Sequence, residues 1–206
     1  METTVFLIRH GTTEWHLRRK LIGQRDIPLN PDGVAQARAA AAALAPLQIG
    51  EIISSPALRA IQTAEIIADQ FHADITRDPR LSEVKIGKWE GMTYEEASAT
   101  VEYQRLAANP LTERLPGGED LVQVRDRAIG AVEQALRDAP AGESLAIISH
   151  ASILRTILAH YLGIPVAHFF RLRIAPGSIS VLSFRDDRDP PRVHALGWRT
   201  DLKEII

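Results

Sequence analysis

The sequence contains no cysteine, and this absence excludes several kinds of chemistry at once. Without a thiol the chain can form no disulfide, no cysteine-based zinc site and no thiolate nucleophile. Long hydrophobic runs are missing too, since no stretch approaches the roughly 20 apolar residues of a membrane-spanning helix. Neither sign of charge predominates, because 24 basic and 26 acidic residues leave a net charge of −2. This balance argues against a dedicated nucleic-acid or anionic-membrane surface.

The N-terminal residues lack the features of a secretory signal. The apolar run 3–8 is too short, has no basic segment before it and no small-residue cleavage site after it. We therefore expect a cytoplasmic protein. Its 206 residues, 45% hydrophobic and 24% charged, are typical of an ordinary globule, which we expect to form a single domain over residues 1–206.

Short apolar runs alternate with helical periodicity along the chain. The runs predict strands at 3–8, 51–54, 144–149 and 178–184, with a further strand at 193–196. Apolar residues spaced three or four apart predict helices at 34–44, 58–71, 94–108, 121–135 and 153–162. This order predicts an α/β fold, a three-layer α/β/α sandwich with a mostly parallel central sheet. The segment 86–118, rich in glycine and proline, is predicted to form a small lid or helical insertion.

Polar residues follow each of the first three predicted buried strands. Arg9, His10 and Gly11 follow the first, Arg59 lies one helical turn after the second, and His150 follows the third. Ligands of such sheets bind outside the carboxyl ends of the strands. We therefore expect two histidines and two arginines to meet at one edge.

These residue types suit a phosphoryl group. Arginine forks bind its oxygens in pairs, and an imidazole with one unprotonated nitrogen is a capable nucleophile. A second histidine, if protonated, would donate to the same oxygens, and Gly11 would leave room for close approach of the substrate. For His10 to attack, a backbone carbonyl is expected to accept from its other nitrogen and fix the tautomer. Taken singly, each residue also fits a strand cap, a solvated helix position or a core histidine.

Several motifs together give the chain a resemblance to the histidine phosphatase superfamily, in its phosphoglycerate-mutase-like branch. They occur in family order over about residues 3–160. The motifs are Arg9-His10-Gly11-Thr12-Thr13-Glu14-Trp15, Gly23 through Pro28-Leu29 to Gly33-x-x-Gln36-Ala37, Ser54-Ser55-Pro56-x-x-Arg59-Ala60-x-Gln62-Thr63-Ala64, Leu81-x-Glu83 with Gly87-x-Trp89-Glu90-Gly91, Pro116-Gly117-Gly118-Glu119, and Ile148-Ser149-His150. Within the family the chain is most similar to broad-specificity and α-ribazole-type phosphatases.

The resemblance implies a metal-independent phosphatase that acts on a small phosphomonoester. His10 would form a phosphohistidine, Arg9, Arg59 and His150 would hold the phosphoryl oxygens, and Glu83 would act as the proton donor. The resemblance implies no metal and no cofactor. No nucleic acid or membrane partner is expected, and the sequence leaves a homodimer open.

The resemblance also implies substrate contacts near the opening motif. The expected positions are His16, Gly11, Thr13, Gly23 and Gln24. His16 departs from the pattern, because family members often have asparagine there. Ile22 is a second departure, since glutamine is frequent at that position, and it puts substrate contacts from this loop in doubt.

Three alternatives share some of these residues. A phosphoglycerate-mutase-type enzyme would use the same histidines and arginines, but such mutases carry a much longer insertion than the 24 residues between Gly91 and Pro116. An inactive phospho-ligand binding module would be expected to lose the nucleophile or the acid, and both are present. A metallohydrolase using His10 and His150 lacks support from any His-x-x-x-His or His-Glu-x-x-His pattern.

Overall fold

The spatial order of the strands differs from their order in the chain. The computed structural model describes residues 2–109, 113–185 and 190–199, and in this part six strands form one sheet in the order β3-β2-β4-β1-β5-β6. The strands are β1 (Thr3–Arg9), β2 (Glu51–Ser54), β3 (Ile75–Arg77), β4 (Leu145–Ser149), β5 (Ile179–Phe184) and β6 (Arg192–Trp198). The pairs β1–β4, β4–β2 and β2–β3 are parallel, whereas β5 pairs antiparallel with both β1 and β6.

Helices cover both faces of the sheet. The helices are α1 (Glu14–Leu17), α2 (Pro31–Leu44), α3 (Leu58–Phe71), α4 (Tyr94–Ser98), α5 (Val101–Ala108), α6 (Leu121–Asp138) and α7 (Ala151–Tyr161). Alternate residues of β1 point to opposite faces, as the pleat requires. Phe6 and Ile8 join a core with α2 and α3, whereas Val5 and Leu7 join a core with α6 and α7. The predicted α/β/α layering with a mostly parallel sheet is confirmed.

The structure corrects the sequence-based prediction in several elements. Strand β3 and helix α1 are absent from the prediction, because they contain only three and four residues. The predicted helix 94–108 is two helices, α4 and α5. Thr93 and Thr100 each accept from a backbone N–H as N-caps, so a second helix begins after Thr100.

The segment predicted as an insertion, 86–118, lies partly outside the described residues. Its described part contains α4, α5 and a 3₁₀ turn at Gly87–Trp89. Trp89 is 4% exposed, and Ile86, Met92 and Tyr103 pack against the α6–α7 core, so these apolar side chains form part of a local cluster. That this segment forms a lid stays a prediction.

Candidate active site

The sheet order brings the ends of β2, β4 and β1 side by side. The backbone N–H of His10 donates to Ser149 O, so pairing between β1 and β4 continues past Arg9. Similarly, the backbone N–H of Ser55 donates to Ile148 O just beyond β2. Arg59 in the first turn of α3, His150 after β4 and His10 after β1 therefore meet at the carboxyl edge of the parallel strands.

His10 has a defined partner at each ring nitrogen, and the residue is 2% exposed. Its Nδ1 lies 2.7 Å from the carbonyl oxygen of Gly11. Because a carbonyl only accepts, Nδ1 carries the proton, and the expected carbonyl partner is confirmed. The lone pair is on Nε2, to which Arg59 Nε donates at 3.2 Å. Burial, followed by the charge of Arg59, lowers the pKa of His10 well below its ordinary value, so the ring is neutral.

Arg59 is a fully buried cation that joins both histidines to the loop after α1. Its exposed fraction is 1%. Besides His10, its Nη2 donates to His150 Nδ1 at 3.1 Å and to Gly23 O at 2.9 Å. Its Nη1 donates to Arg25 O at 2.7 Å. Desolvation lowers the pKa of Arg59, and the nearby Glu83 carboxylate opposes that shift. The guanidinium therefore fixes the relative positions of three separate segments.

His150 is held as a neutral ring. Its Nδ1 accepts from Arg59, so Nε2 carries the proton and donates to Ser55 Oγ at 2.7 Å. Burial, followed by the charges of Arg59 and Arg9, lowers the pKa of His150 well below its ordinary value. His150 can donate from Nδ1 only after it takes up a proton. A bound phosphoryl dianion would favour that uptake, because an opposite charge nearby stabilises the imidazolium.

Arg9 and His16 form a second pair beside His10. Arg9 Nη2 donates to His16 Nε2 at 2.9 Å, and Nη1 donates to Ile174 O at 2.7 Å. The Nε of Arg9 is buried and has no hydrogen-bond partner among the described residues. Since an unpaired buried donor is costly, this atom is well suited to meet an anionic oxygen. Burial, followed by the charge of Arg155, lowers the pKa of Arg9 to about 10.

His16 contacts the Arg9 guanidinium through Nε2. On the other side of the ring, the backbone N–H of the fully buried Thr13 donates to Nδ1 at 3.1 Å, and the Thr13 hydroxyl oxygen lies 2.8 Å from the same nitrogen. The ring centre of His16 is 5.4 Å from that of His10. Desolvation, followed by the charges of Arg9 and Arg59, lowers the pKa of His16 to about 3. The structure thus brings His16 and Thr13 to the site, with His16 orienting Arg9.

The Glu83 carboxylate is near the arginines. Its charge acts on Arg9, Arg59 and Arg155, and in each it opposes the lowering of the pKa that burial causes. One carboxylate oxygen accepts from Val84 N at 2.8 Å. Gln24, predicted as a substrate contact, is exposed and donates its side-chain amide to the backbone carbonyl of Glu83 at 3.0 Å. Gln24 thus connects the loop after α1 to the residue predicted as proton donor.

The structure gives Gly11 a packing role. Its Cα faces the backbone of Gly33, and a Cβ there would lie 2.3 Å from Gly33 O. The glycine is therefore required for loop packing, and the expected close approach of a substrate at this position stays a prediction. Its N–H donates to Thr63 Oγ1 at 3.2 Å. Gly23 contributes its carbonyl to Arg59, and its φ of +57° suits a residue without a side chain.

Ser55, Thr63 and Ser149 stand in the sequence motifs, but no role was predicted for them, and they hold this arrangement. Ser55 fixes His150, Ser149 Oγ donates to Leu81 O at 2.7 Å, and Thr63 accepts from Gly11. Ser55 and Ser149 lie at strand ends, which is a signal that could have found them. Thr63 lies inside α3, in the motif that carries Arg59, and its position does not indicate the contact to Gly11. Groups of three or more acidic or histidine side chains able to hold a metal ion do not occur in the part of the chain that the structure describes.

The comparisons with known proteins identify the family of this chain. The family model for the histidine phosphatase superfamily (branch 1) matches residues 5–198. The chain belongs to this superfamily. It is 35% identical over 184 residues to a probable phosphoglycerate mutase, GpmB, from Escherichia coli O1:K1, covering 88% of this chain and 85% of that protein.

Solved structures give the same result. A protein described as mycobacterial hydrolase 1 superposes with a TM-score of 0.88 at 27% identity, covering 97% of this chain and all of that one. A mycobacterial glucosyl-3-phosphoglycerate phosphatase, in complex with VO3, superposes with a TM-score of 0.84 at 28% identity, covering 96% and 99%. Relatives of this chain thus include proteins named as phosphatases and proteins named as mutases. Among the described residues, no helix has the length and apolar character needed to cross a membrane.

Proposed function

We propose that this protein hydrolyses phosphomonoesters of small metabolites, without a metal ion, through a phosphohistidine on His10. The observation that carries the proposal is the state of His10. Its proton is held on Nδ1 by Gly11 O, and its Nε2 lone pair faces the guanidinium of Arg59. A neutral, oriented imidazole beside a cation is what in-line attack on phosphorus requires.

In the first half-reaction, the His10 Nε2 lone pair forms a bond to phosphorus. The bond from phosphorus to the leaving oxygen breaks, and the protonated Glu83 carboxyl supplies the proton that this oxygen takes up. Arg59 and Arg9 stabilise the phosphoryl oxygens, and His150 joins them once protonated. The buried Nε of Arg9, which has no hydrogen-bond partner among the described residues, supports this assignment.

In the second half-reaction, the Glu83 carboxylate takes a proton from a water molecule. The water oxygen attacks phosphorus, the bond to Nε2 breaks, and its electron pair returns to the ring. Inorganic phosphate leaves, and Glu83 is again protonated. The Nδ1–H donor to Gly11 O stabilises the cationic phosphohistidine between the two steps.

Hydrolysis, rather than transfer to a hydroxy acid, is supported by the short chain between Gly91 and Pro116. The basic residues among these 24 are two arginines, Arg105 and Arg114. Arg114 is paired with Asp120 at 3.0 Å. The likeness to the glucosyl-3-phosphoglycerate phosphatase supports hydrolysis as well.

The test incubates the protein with p-nitrophenyl phosphate and a chelator at mildly acidic and neutral pH. We expect release of inorganic phosphate and an acid-labile phosphoenzyme. His10→Ala should abolish both, whereas His160→Ala, at an exposed position of α7, should keep both. Turnover that disappears in chelator would contradict the metal-free mechanism.

A mutase is the second candidate, and the name of the Escherichia coli relative favours it. Interconversion of 2- and 3-phosphoglycerate, followed together with phosphate release, separates the two activities. Phosphoglycerate interconversion that exceeds hydrolysis would replace the phosphatase proposal. A panel of phosphosugars, phosphoglycerates, nucleotides and ribazole phosphate would then identify the substrate class.

A further inference from the structure

Arg127 on α6 makes a dense set of contacts outside the groups assigned to phosphate. Its Nε and Nη2 donate to the two carboxylate oxygens of Glu119 at 2.7 and 2.9 Å. The two side chains are only 18% and 21% exposed. A bidentate, largely desolvated pair of this kind has a fixed geometry and is stronger than an exposed ion pair.

The same guanidinium holds the backbone in front of Glu83. Its Nη1 donates to Ser82 O at 2.7 Å and to Arg80 O at 2.5 Å. Its Nη2 lies 3.4 Å from Glu83 O. Residues 83–86 have no regular secondary structure, so no helix or sheet ladder fixes this stretch. The donors from Arg127 take the place of such a ladder.

Glu119 holds the backbone on the other side of Glu83. Its Oε2 accepts from Lys85 N at 2.9 Å, and its own N–H donates to Lys85 O at 3.0 Å. One ion pair thus fixes the residues before and after Glu83. The carboxylate at this position must reach a leaving oxygen, and a shift of about 1 Å can cost about 100-fold in rate.

We propose that Arg127 and Glu119 are positioning residues for Glu83. They act by fixing the backbone of residues 80–85, and neither touches the reacting atoms. This inference rests on the proposed function, in which Glu83 protonates the leaving group. Arginine is needed because its planar fork reaches the carboxylate and the carbonyls at the same time, whereas lysine offers its donors from one point.

The experiment compares a good and a poor leaving group, p-nitrophenyl phosphate and glycerol phosphate, in the full-length protein. Arg127→Lys and Glu119→Gln should lower kcat for glycerol phosphate by about 100-fold, with a much smaller loss for p-nitrophenyl phosphate, because only the poor leaving group needs the proton. KM should change little, since the phosphate contacts remain. Adding Arg127→Lys to Glu83→Gln should cause no further loss.

Arg80→Gln is the matched control. Arg80 joins the same segment to the same helix, with contacts to Asp78 at 2.7 Å and to Gly130 O at 3.1 Å, yet its side chain bonds nothing between Ser82 and Lys85 among the described residues. This variant should lower thermal stability and leave the ratio of the two rates unchanged. If Arg127 has only a structural role, Arg127→Lys should likewise lower thermal stability and leave the ratio of the two rates unchanged.

Two results would overturn the proposal. The first is an equal loss with both substrates in Arg127→Lys and Glu119→Gln. The second is a further loss of rate when Arg127→Lys is added to Glu83→Gln. Such a loss would mean that Arg127 acts on another group such as His150. Failure of the proposed acid has a different signature. Glu83→Gln would then slow both substrates equally, and the positioning role would fall with it.

Discussion

Three histidine rings meet beside two arginines in this site. The centre of the His10 ring is 5.0 Å from that of His150 and 5.4 Å from that of His16. In all three rings burial is the largest cause of a lowered pKa, and arginine charges add to it. The site therefore keeps its histidines neutral, which suits a nucleophile and leaves proton uptake to be driven by an anionic ligand.

Arg59 cannot be replaced by another cation. Arg59→Lys keeps the charge but loses the fork that reaches both histidines, Gly23 O and Arg25 O. We expect kcat/KM to fall by about 10²- to 10³-fold, and the unpaired carbonyls to cost about 1–3 kcal/mol of stability. Arg38→Lys on the exposed face of α2 is the control. Steady-state kinetics and urea unfolding measure both effects, and near-normal kinetics in Arg59→Lys would contradict the role.

His16→Asn should keep the contact to Arg9, because the asparagine carbonyl can accept where Nε2 accepts now. In the folded protein His16 takes up a proton only near its pKa of about 3, whereas in the unfolded chain it takes up a proton below about pH 6.5. Between these two pH values the unfolded chain binds one more proton at His16, so the free energy of unfolding decreases as the pH falls. His16→Asn should remove this decrease, which is about 1.4 kcal/mol per pH unit, when urea unfolding is followed from pH 6 to 4. If the free energy of unfolding of His16→Asn depends on pH as steeply as that of the wild type, the lowered pKa of His16 is refuted.

At the scale of elements, close backbone contacts fix the loop that carries the proposed nucleophile. Gly33 lies in the first turn of α2, and its N–H donates to the side-chain oxygen of the N-cap residue Asn30 at 2.9 Å. A Cβ at Gly33 would lie 2.1 Å from Thr12 O. The two glycines Gly11 and Gly33 thus allow the loop after β1 to lie directly on the start of α2.

Gly33→Ala and Gly130→Ala form a matched pair of helix substitutions. Gly33→Ala forces Cβ into a backbone oxygen, so we expect a loss of several kcal/mol or a failure to fold. At Gly130 in α6 an added Cβ would meet nothing within 4 Å, and alanine there should stabilise the protein by about 0.5–1 kcal/mol. Thermal unfolding checks both, and a neutral Gly33→Ala would mean that the loop can shift.

The sequence predicted the long elements, and it predicted that Arg9, His10, Arg59 and His150 meet, because each lies at a strand end or begins a helix. Glu83 and His16 became candidates only through the family resemblance. It could not predict that β4 lies between β2 and β1, since strand order is set by packing of distant segments. The contacts of Ser55, Thr63 and Arg127 could not be predicted for the same reason. Their partners are His150, Gly11 and Glu83, which are remote in the chain.

At the scale of the whole molecule, the strand order decides which groups can cooperate. Because β4 separates β2 from β1, His150 lies between the segments that carry Arg59 and His10. The β1–β4 and β4–β2 ladders are both parallel, so all three groups leave the sheet at the same edge. Folding of the central strands therefore assembles the site before any ligand arrives.

The molecule as a whole should become less stable in mild acid. His10, His16 and His150 all have pKa values below the ordinary value in the folded state. The unfolded chain binds more protons as pH falls below about 6.5, so stability decreases there and is restored at neutral pH. Thermal unfolding from pH 7.5 to 5 should show this trend. A phosphate analogue that promotes protonation of His150 should reduce it, and a Tm independent of pH would contradict these shifts.

The contact between Gly11 and Gly33 restricts which residues can replace either glycine during evolution. A side chain at position 11 meets the oxygen of residue 33, and a side chain at position 33 meets the oxygen of residue 12. Both oxygens belong to the backbone, so a second substitution cannot remove them. A change at one position therefore has no compensating change at the other, and new specificities have to arise from side chains elsewhere around the site.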